Sequence, residues 1–129
     1  MKAYRGSCHC KKVRFEIDAE IDHVRACDCS ICARRGALIY RVPTEAFRLL
    51  TPLSELSVYR WGSMTAADYF CPVCGILLFR KPSDPTPAER QAGATKFEGW
   101  AINTRCLEGF DPASVPTRRI SGSQLEIGE

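Results

Sequence analysis

This sequence predicts a mainly β fold of short antiparallel strands with little helix, on three observations. Apolar residues recur at every second position over short stretches, those stretches are separated by Pro, Ser and Gly, and no segment sustains apolar residues at i, i+3, i+4 and i+7. The 129 residues suit one globular domain, residues 1–129, with no room for two. Hydrophobic residues make up 45% of the chain but aromatic ones only 9%, so the core needs a further source of cohesion. The eight cysteines are the candidate.

The elements follow in order. Residues 12–17 alternate polar and apolar, which puts Val13, Phe15 and Ile17 on one face of a half-buried strand. Residues 18–22 are charged without periodicity and read as a turn, and 24–27 form a short strand that leads into a cysteine cluster ended by Gly36. A strand over 37–42 stops at Pro43, which cannot donate to a ladder. Short β-branched or aromatic stretches at 47–50, 56–61, 67–70 and 76–79 are further strands. Residues 81–93 hold three prolines and few large apolar groups, a surface loop with one helical turn after Pro87, placed to act as a lid. Residues 97–103 return to a strand pattern, and 111–129 are a polar tail.

Eighteen Lys and Arg against fifteen Asp and Glu give a net charge of only +3. The densest basic groups are the pairs Lys11-Lys12, Arg34-Arg35 and Arg118-Arg119, too sparse for a nucleic-acid footprint. The first fifteen residues contain no apolar core segment of a signal peptide, and the longest uncharged apolar run, 71–79, is far short of a membrane span. The expectation is a soluble cytoplasmic protein whose thiols stay reduced and serve as metal ligands.

The cysteines fall into Cys8-x-Cys10, Cys27-x-Cys29-x-x-Cys32, Cys71-x-x-Cys74 and the single Cys106. Cys71-Pro72-Val73-Cys74-Gly75 has the form of a zinc knuckle, a tight turn that aims two sulfurs at one ion, and Gly75 tolerates the positive φ such a turn needs. A redox Cys-Pro-x-Cys site would open a helix after a strand, whereas strand-like residues follow here at once. A knuckle supplies two ligands, so Cys71 and Cys74 need a second pair, from Cys8 and Cys10 or from the central triplet. Cys8 and Cys10, two apart on a strand, would point to one face, with His9 opposite. Seven clustered thiols fall one short of two tetrahedral sites: one ion closed by four cysteines, the other held by three with a free position, the pattern of a catalytic zinc. An ion there lowers the pKa of a thiol that binds it.

The blocks Gly6-Ser7-Cys8-His9-Cys10-x-x-Val13-x-Phe15-Glu16, Cys27-Asp28-Cys29-Ser30-x-Cys32, Tyr69-Phe70-Cys71-Pro72-x-Cys74-Gly75 and Asn103-x-Arg105-Cys106-Leu107-Glu108-Gly109 resemble the glutathione-dependent formaldehyde-activating enzyme family, which includes centromere protein V. The resemblance spans residues 6–109 and leaves 110–129 as a C-terminal tail. It implies a β-tent fold with two zinc ions, a structural one on Cys8, Cys10, Cys71 and Cys74 and a second, open one on Cys27, Cys29 and Cys32. The implied activity is a carbon–sulfur lyase that forms or cleaves S-(hydroxymethyl)glutathione or a related glutathione adduct. A second reading is a non-enzymatic zinc-binding module for protein interaction, which related β-tent proteins also represent. Asp68 stands where family members often carry a histidine, so no proton-transfer role is expected of it.

Arg105, Arg35 and Asn103 are the candidate substrate contacts, the arginines because a planar guanidinium clamps the carboxylates of a tripeptide thiol. Cys106 reads as a buried core thiol, and Trp61 and Trp100 as core or pocket wall. The expected partner is glutathione or another small-molecule thiol adduct, without membrane or nucleic acid.

Overall fold

The computed structural model describes residues 1–61 and 64–120; the part of the expected tail beyond residue 120 lies outside the described residues. The strands are β1 (Lys2–Ser7), β2 (Arg14–Ala19), β3 (Val24–Cys27), β4 (Ile39–Pro43), β5 (Phe47–Leu49), β6 (Ser57–Tyr59), β7 (Ala67–Phe70), β8 (Leu77–Lys81), β9 (Gly99–Asn103) and β10 (Thr117–Ile120). Two short helices, α1 (Ser30–Arg35) and α2 (Pro87–Gln91), complete a mainly β fold, as expected.

The strands form two sheets, one of three strands in the order β1-β2-β5 and one of seven in the order β10-β3-β4-β9-β8-β7-β6. The alternation read at 12–17 continues two residues further, with Phe15, Ile17 and Ala19 buried along β2. Between the sheets Phe15, Phe47, Tyr69, Phe79 and Trp100 stack edge-on or tilted, with ring centroids 4.9–5.9 Å apart. Phe15 and Phe79 are fully buried and contribute about 1.5–3 kcal/mol each by leaving water, and the half-buried Phe47, Tyr69 and Trp100 pack against them.

Three expectations need correction. The sheet is not wholly antiparallel: β10 lies parallel to β3, with Thr117 opposite Val24 and Ile120 opposite Cys27. Within the segment read as tail, Thr117–Ile120 is therefore an ordered edge strand. Cys8 and Cys10 are not on a strand but in the turn that joins β1 to β2, where the Lys11 N–H donates to the Cys8 carbonyl at 3.2 Å. Lys11 takes the left-handed conformation there, φ 67°. Finally, α1 was not foreseen, because its six residues are too few to show periodicity.

Gly99 pairs with Pro43 at the edge of the β4–β9 ladder, and a Cβ there would fall on the Val42 carbonyl oxygen and the Phe97 ring. Backbone cannot swing away as a side chain can, so Gly99→Ala is expected to cost about 2–3 kcal/mol, near the upper end of overpacking effects. The urea midpoint against wild type measures this; an unchanged midpoint would mean the ladder slides freely.

Candidate metal centres and flanking pockets

The turn between β1 and β2 meets the turn between β7 and β8, and this brings Cys8, Cys10, Cys71 and Cys74 together with their sulfurs all within 4.8 Å. Cys10 Sγ lies 3.7 Å from Cys8 Sγ and 3.6 Å from Cys71 Sγ. Four thiolates about 2.3 Å from one tetrahedral ion stand about 3.8 Å from each other, so these spacings fit one ion. They are far beyond a disulfide bond length, and every described cysteine is free. The Val13 N–H donates to Cys8 Sγ at 3.4 Å, and the Val73 and Cys74 N–H groups donate to Cys71 Sγ at 3.4 and 3.5 Å. Gly75, with φ 79°, lets the second turn close, its N–H bonded to the Cys71 carbonyl at 2.9 Å.

These N–H groups tune the thiols. The Cys10 N–H, beside that of Ile76, holds Cys74 down to about 6 despite burial. Burial works against the Cys71 thiolate, but the N–H groups of Cys74 and Val73 outweigh it and its pKa falls. Cys10 accepts from the Lys12 N–H, yet burial and the sulfurs around it push it up to about 11. Four sulfurs crowded in one place cannot all ionise without a cation between them.

The second cluster is Cys27, Cys29 and Cys32, again with sulfurs within 4.8 Å. Cys27 ends β3, Cys29 is the residue before α1 with extended backbone (φ −62°, ψ 163°), and Cys32 lies in the helix. The helix starts with the Ala33 N–H on the Cys29 carbonyl at 2.9 Å and ends at Gly36, φ 64°, whose N–H returns to the Cys32 carbonyl. Burial raises the Cys27 thiol, and burial followed by the neighbouring Cys29 sulfur raises Cys32. Three donors from a six-residue stretch fit three corners of a tetrahedron and leave the fourth to a ligand. Both clusters could hold metal ions, and their all-thiol donor sets are compatible with zinc.

The triplet opens onto a narrow pocket of about 140 Å³, whose wall also includes Arg25, Arg41, Arg80 and Trp61. Strand register explains the arginines. Arg41 of β4 and Arg80 of β8 both stand opposite Ala101 of β9, and Arg25 of β3 stands opposite Ile39, two residues before Arg41. All three therefore share the sheet face turned away from the aromatic core, with Ala101 as a low floor. Desolvation, with Arg25 and Arg80 beside it, brings Arg41 down to about 10. Sequence reading missed these residues. Alternation places Arg41 and Ile39 on one face, but only the pairing of β3, β4, β8 and β9 reveals that three arginines meet beside the thiols.

The expected substrate contacts lie elsewhere. Arg35, Asn103 and Arg105 line a wider cleft of about 890 Å³, with His9, Lys11 and Cys106, in which the triplet takes no part. The short helix α1 separates the two spaces, with Ile31 and Arg35 on one and Cys29 and Cys32 on the other. Asn103 is buried and committed: its Nδ2 donates to the Leu77 carbonyl at 2.9 Å and its Oδ1 accepts from the Arg105 N–H at 3.3 Å. Arg105 Nε donates to the Gly36 carbonyl at 3.2 Å. Cys106 borders this cleft too, pushed up to about 12 by burial. Pro82 and Ser83, from the loop expected to act as a lid, border the narrow pocket. Trp100 joins the core, and Trp61 is pocket wall.

Asp68 ties the two spaces together. It has no solvent exposure, and its Oδ2 accepts from Arg35 Nη1 at 2.9 Å while its Oδ1 accepts from Arg80 Nε at 2.8 Å. Arg35 belongs to α1 and Arg80 to β8, so one carboxylate fastens the helix that carries Cys32 to the sheet beneath it.

The profile of the family described as glutathione-dependent formaldehyde-activating enzyme matches residues 3–98. A protein of Emericella nidulans, provisionally named a glutathione-dependent formaldehyde-activating enzyme, is 28% identical over 130 aligned positions that cover 84% of this chain and 65% of that protein. This chain thus spans just under two thirds of that relative's length. Among solved structures, the crystal structure of a Rhodobacter sphaeroides protein, a structural-genomics target, superposes with a TM-score of 0.70 at 29% identity, covering 88% of this chain and 99% of that one.

Proposed function

The chain belongs to the glutathione-dependent formaldehyde-activating enzyme family, and from that premise we propose that it is a zinc-dependent carbon–sulfur lyase that forms or cleaves S-(hydroxymethyl)glutathione or a related glutathione adduct. The observation that carries the reading is the contrast between the clusters. Four cysteine sulfurs converge at the joint between turns, enough to close a tetrahedral site, while three converge beside a pocket walled by cationic donors, one short of closing one. In this reading Cys8, Cys10, Cys71 and Cys74 hold a structural zinc, and Cys27, Cys29 and Cys32 a reactive one. A zinc ion at the triplet supplies positive charge that favours the thiolate form of a thiol brought there near neutral pH.

The chain's own groups do the rest. Cys27, Cys29 and Cys32 fix where the reacting sulfur comes to rest, and Asp68 tethers α1, which carries Cys32. Arg80 faces the place where negative charge develops on the carbonyl oxygen when sulfur attacks carbon, and Arg25 and Arg41 line the same pocket. The indole of Trp61 narrows the space and keeps water out. The wider cleft, with Arg35, Arg105 and Asn103 along it, is the berth proposed for the body of the tripeptide, whose thiol arm then has to pass α1 to reach the triplet. Ligand pockets for molecules of that size run from about 300 to 1,000 Å³, which the wider cleft meets and the narrow pocket does not.

Metal analysis tests the division. Wild type should carry two zinc ions, and Cys29→Ser should lose about one while it keeps its fold and loses thiol addition. If Cys29→Ser kept both ions, or if wild type held one ion and bound no thiol, the enzyme reading would give way to the interaction module. Arg105→Ala is expected to raise the KM for glutathione by about 10-fold, the value of one charge-assisted hydrogen bond, with metal content unchanged; steady-state kinetics measure it.

A further inference from the structure

The narrow pocket is more selective than formaldehyde requires. Its wall contains Arg25, Arg41 and Arg80 and not one carboxylate. Arg80 spends Nε on Asp68, while Arg25 and Arg41 have no ion-pair partner among the described residues. Trp61 adds a fourth donor, for its indole Nε1 is buried and has no hydrogen-bond partner among the described residues. An indole nitrogen only donates, and guanidinium groups only donate. Arg25, Arg41 and the Trp61 N–H, three donor groups without an acceptor among the described residues, suit an anion with several oxygens, and guanidinium recognises a carboxylate in two-point fashion. Formaldehyde has one neutral oxygen. The carboxylates of glutathione lie far from its sulfur, the nearer on the order of 7 Å along an extended chain, and the tripeptide does not fit a space of about 140 Å³. A carboxylate in this pocket therefore belongs to the small carbonyl reactant, next to the carbon under attack.

We propose that this pocket selects an aldehyde that itself bears a carboxylate, a small 2-oxo acid of the glyoxylate type, in preference to formaldehyde. The inference rests on the functional reading above and names the substrate class of the same site. The step is redox-neutral: the glutathione sulfur forms a bond to the aldehyde carbon and the π bond of C=O breaks. Its electron pair settles on oxygen, and oxygen takes up the proton that the thiol gave up. The product is a carboxylated thiohemiacetal, and cleavage is the reverse. The carboxylate does not react; Arg41, Arg25 and the Trp61 N–H hold it and thereby set the face of the carbonyl presented to sulfur.

The experiment compares glyoxylate with formaldehyde as partners for glutathione on the zinc-loaded protein, with adduct exchange followed by NMR on 13C-labelled aldehydes. Wild type is expected to show a kcat/KM for glyoxylate at least about 10-fold above that for formaldehyde, the discrimination expected of a charge-assisted pair. Arg41→Ala should bring that ratio toward one by raising the KM for glyoxylate, and Arg41→Lys should restore part of it because charge returns without the fork. A wild-type preference for formaldehyde overturns the inference and leaves the lyase reading standing. So does a rise in KM for glutathione in place of glyoxylate on Arg41→Ala, which would assign the arginines to the tripeptide. Failure to accelerate either reaction with both zinc ions bound overturns the lyase reading and the inference with it.

Discussion

Replacing Cys74 with serine is expected to leave a chain that no longer folds cooperatively. Cys74 joins the turn after β7 to the turn after β1, and its sulfur is within 4.8 Å of that of Cys71 in its own turn and of those of Cys8 and Cys10, more than sixty positions away. A structural zinc site contributes on the order of 10–16 kcal/mol to its folded form, and a domain of this size is stable by only about 5–15 kcal/mol. Loss of one thiolate also leaves three crowded sulfurs around a gap. Circular dichroism on heating should show no sharp transition for Cys74→Ser, while Cys74→His, which still offers a ligand, should recover part of it. A melting temperature for Cys74→Ser within a few degrees of wild type would mean that the core alone carries the fold.

Asp68→Ala is the second large effect. The carboxylate is fully buried between two guanidinium groups, and removing it leaves Arg35 and Arg80 without an ion-pair partner among the described residues. Breaking a buried ionic pair from one side costs about 3–5 kcal/mol, roughly a fifth or more of the ~5–15 kcal/mol stability of an ordinary domain. The damage should reach the metal centre as well. Arg35 is the last residue of α1, and with its anchor gone the helix that carries Cys32 is held by fewer contacts. Urea unfolding should therefore show the loss of stability, and zinc titration should show weaker binding at the triplet than at the quartet. Equal binding at both clusters in Asp68→Ala would show that α1 keeps its place without this tether.

The sequence made the strands legible where side chains alternate between water and core. Residues 67–70 and 24–27 match β7 and β3 at both ends. Elements whose order comes from partners were not legible. β1 buries only Gly6, over the Phe15 ring, so its pattern shows no apolar face. β10 carries Arg118 and Arg119 and owes its strand form to β3. For α1 the governing facts are three thiols and a C-terminal Gly36, not propensity. The site divides likewise: the cysteine groups could be read from spacing, because chelation imposes local geometry. The pocket arginines could not, because Arg25, Arg41 and Arg80 are separated in sequence and meet only through sheet register.

The two cysteine clusters differ in how much chain lies between their donors. Cys27, Cys29 and Cys32 come from neighbouring positions, whereas Cys10 and Cys71 are 61 positions apart. During synthesis the triplet is thus a competent chelator long before the knuckle at Cys71 and Cys74 has been made. Entropy also favours it in the unfolded chain, since a short loop closes at less expense than a long one. If both clusters take zinc as proposed, the first ion captured should sit at the triplet, and the quartet should recruit its own ion late. Refolding with a single equivalent of zinc should accordingly trap chains loaded at the wrong place, and an excess of metal or a mild exchanging thiol should release them.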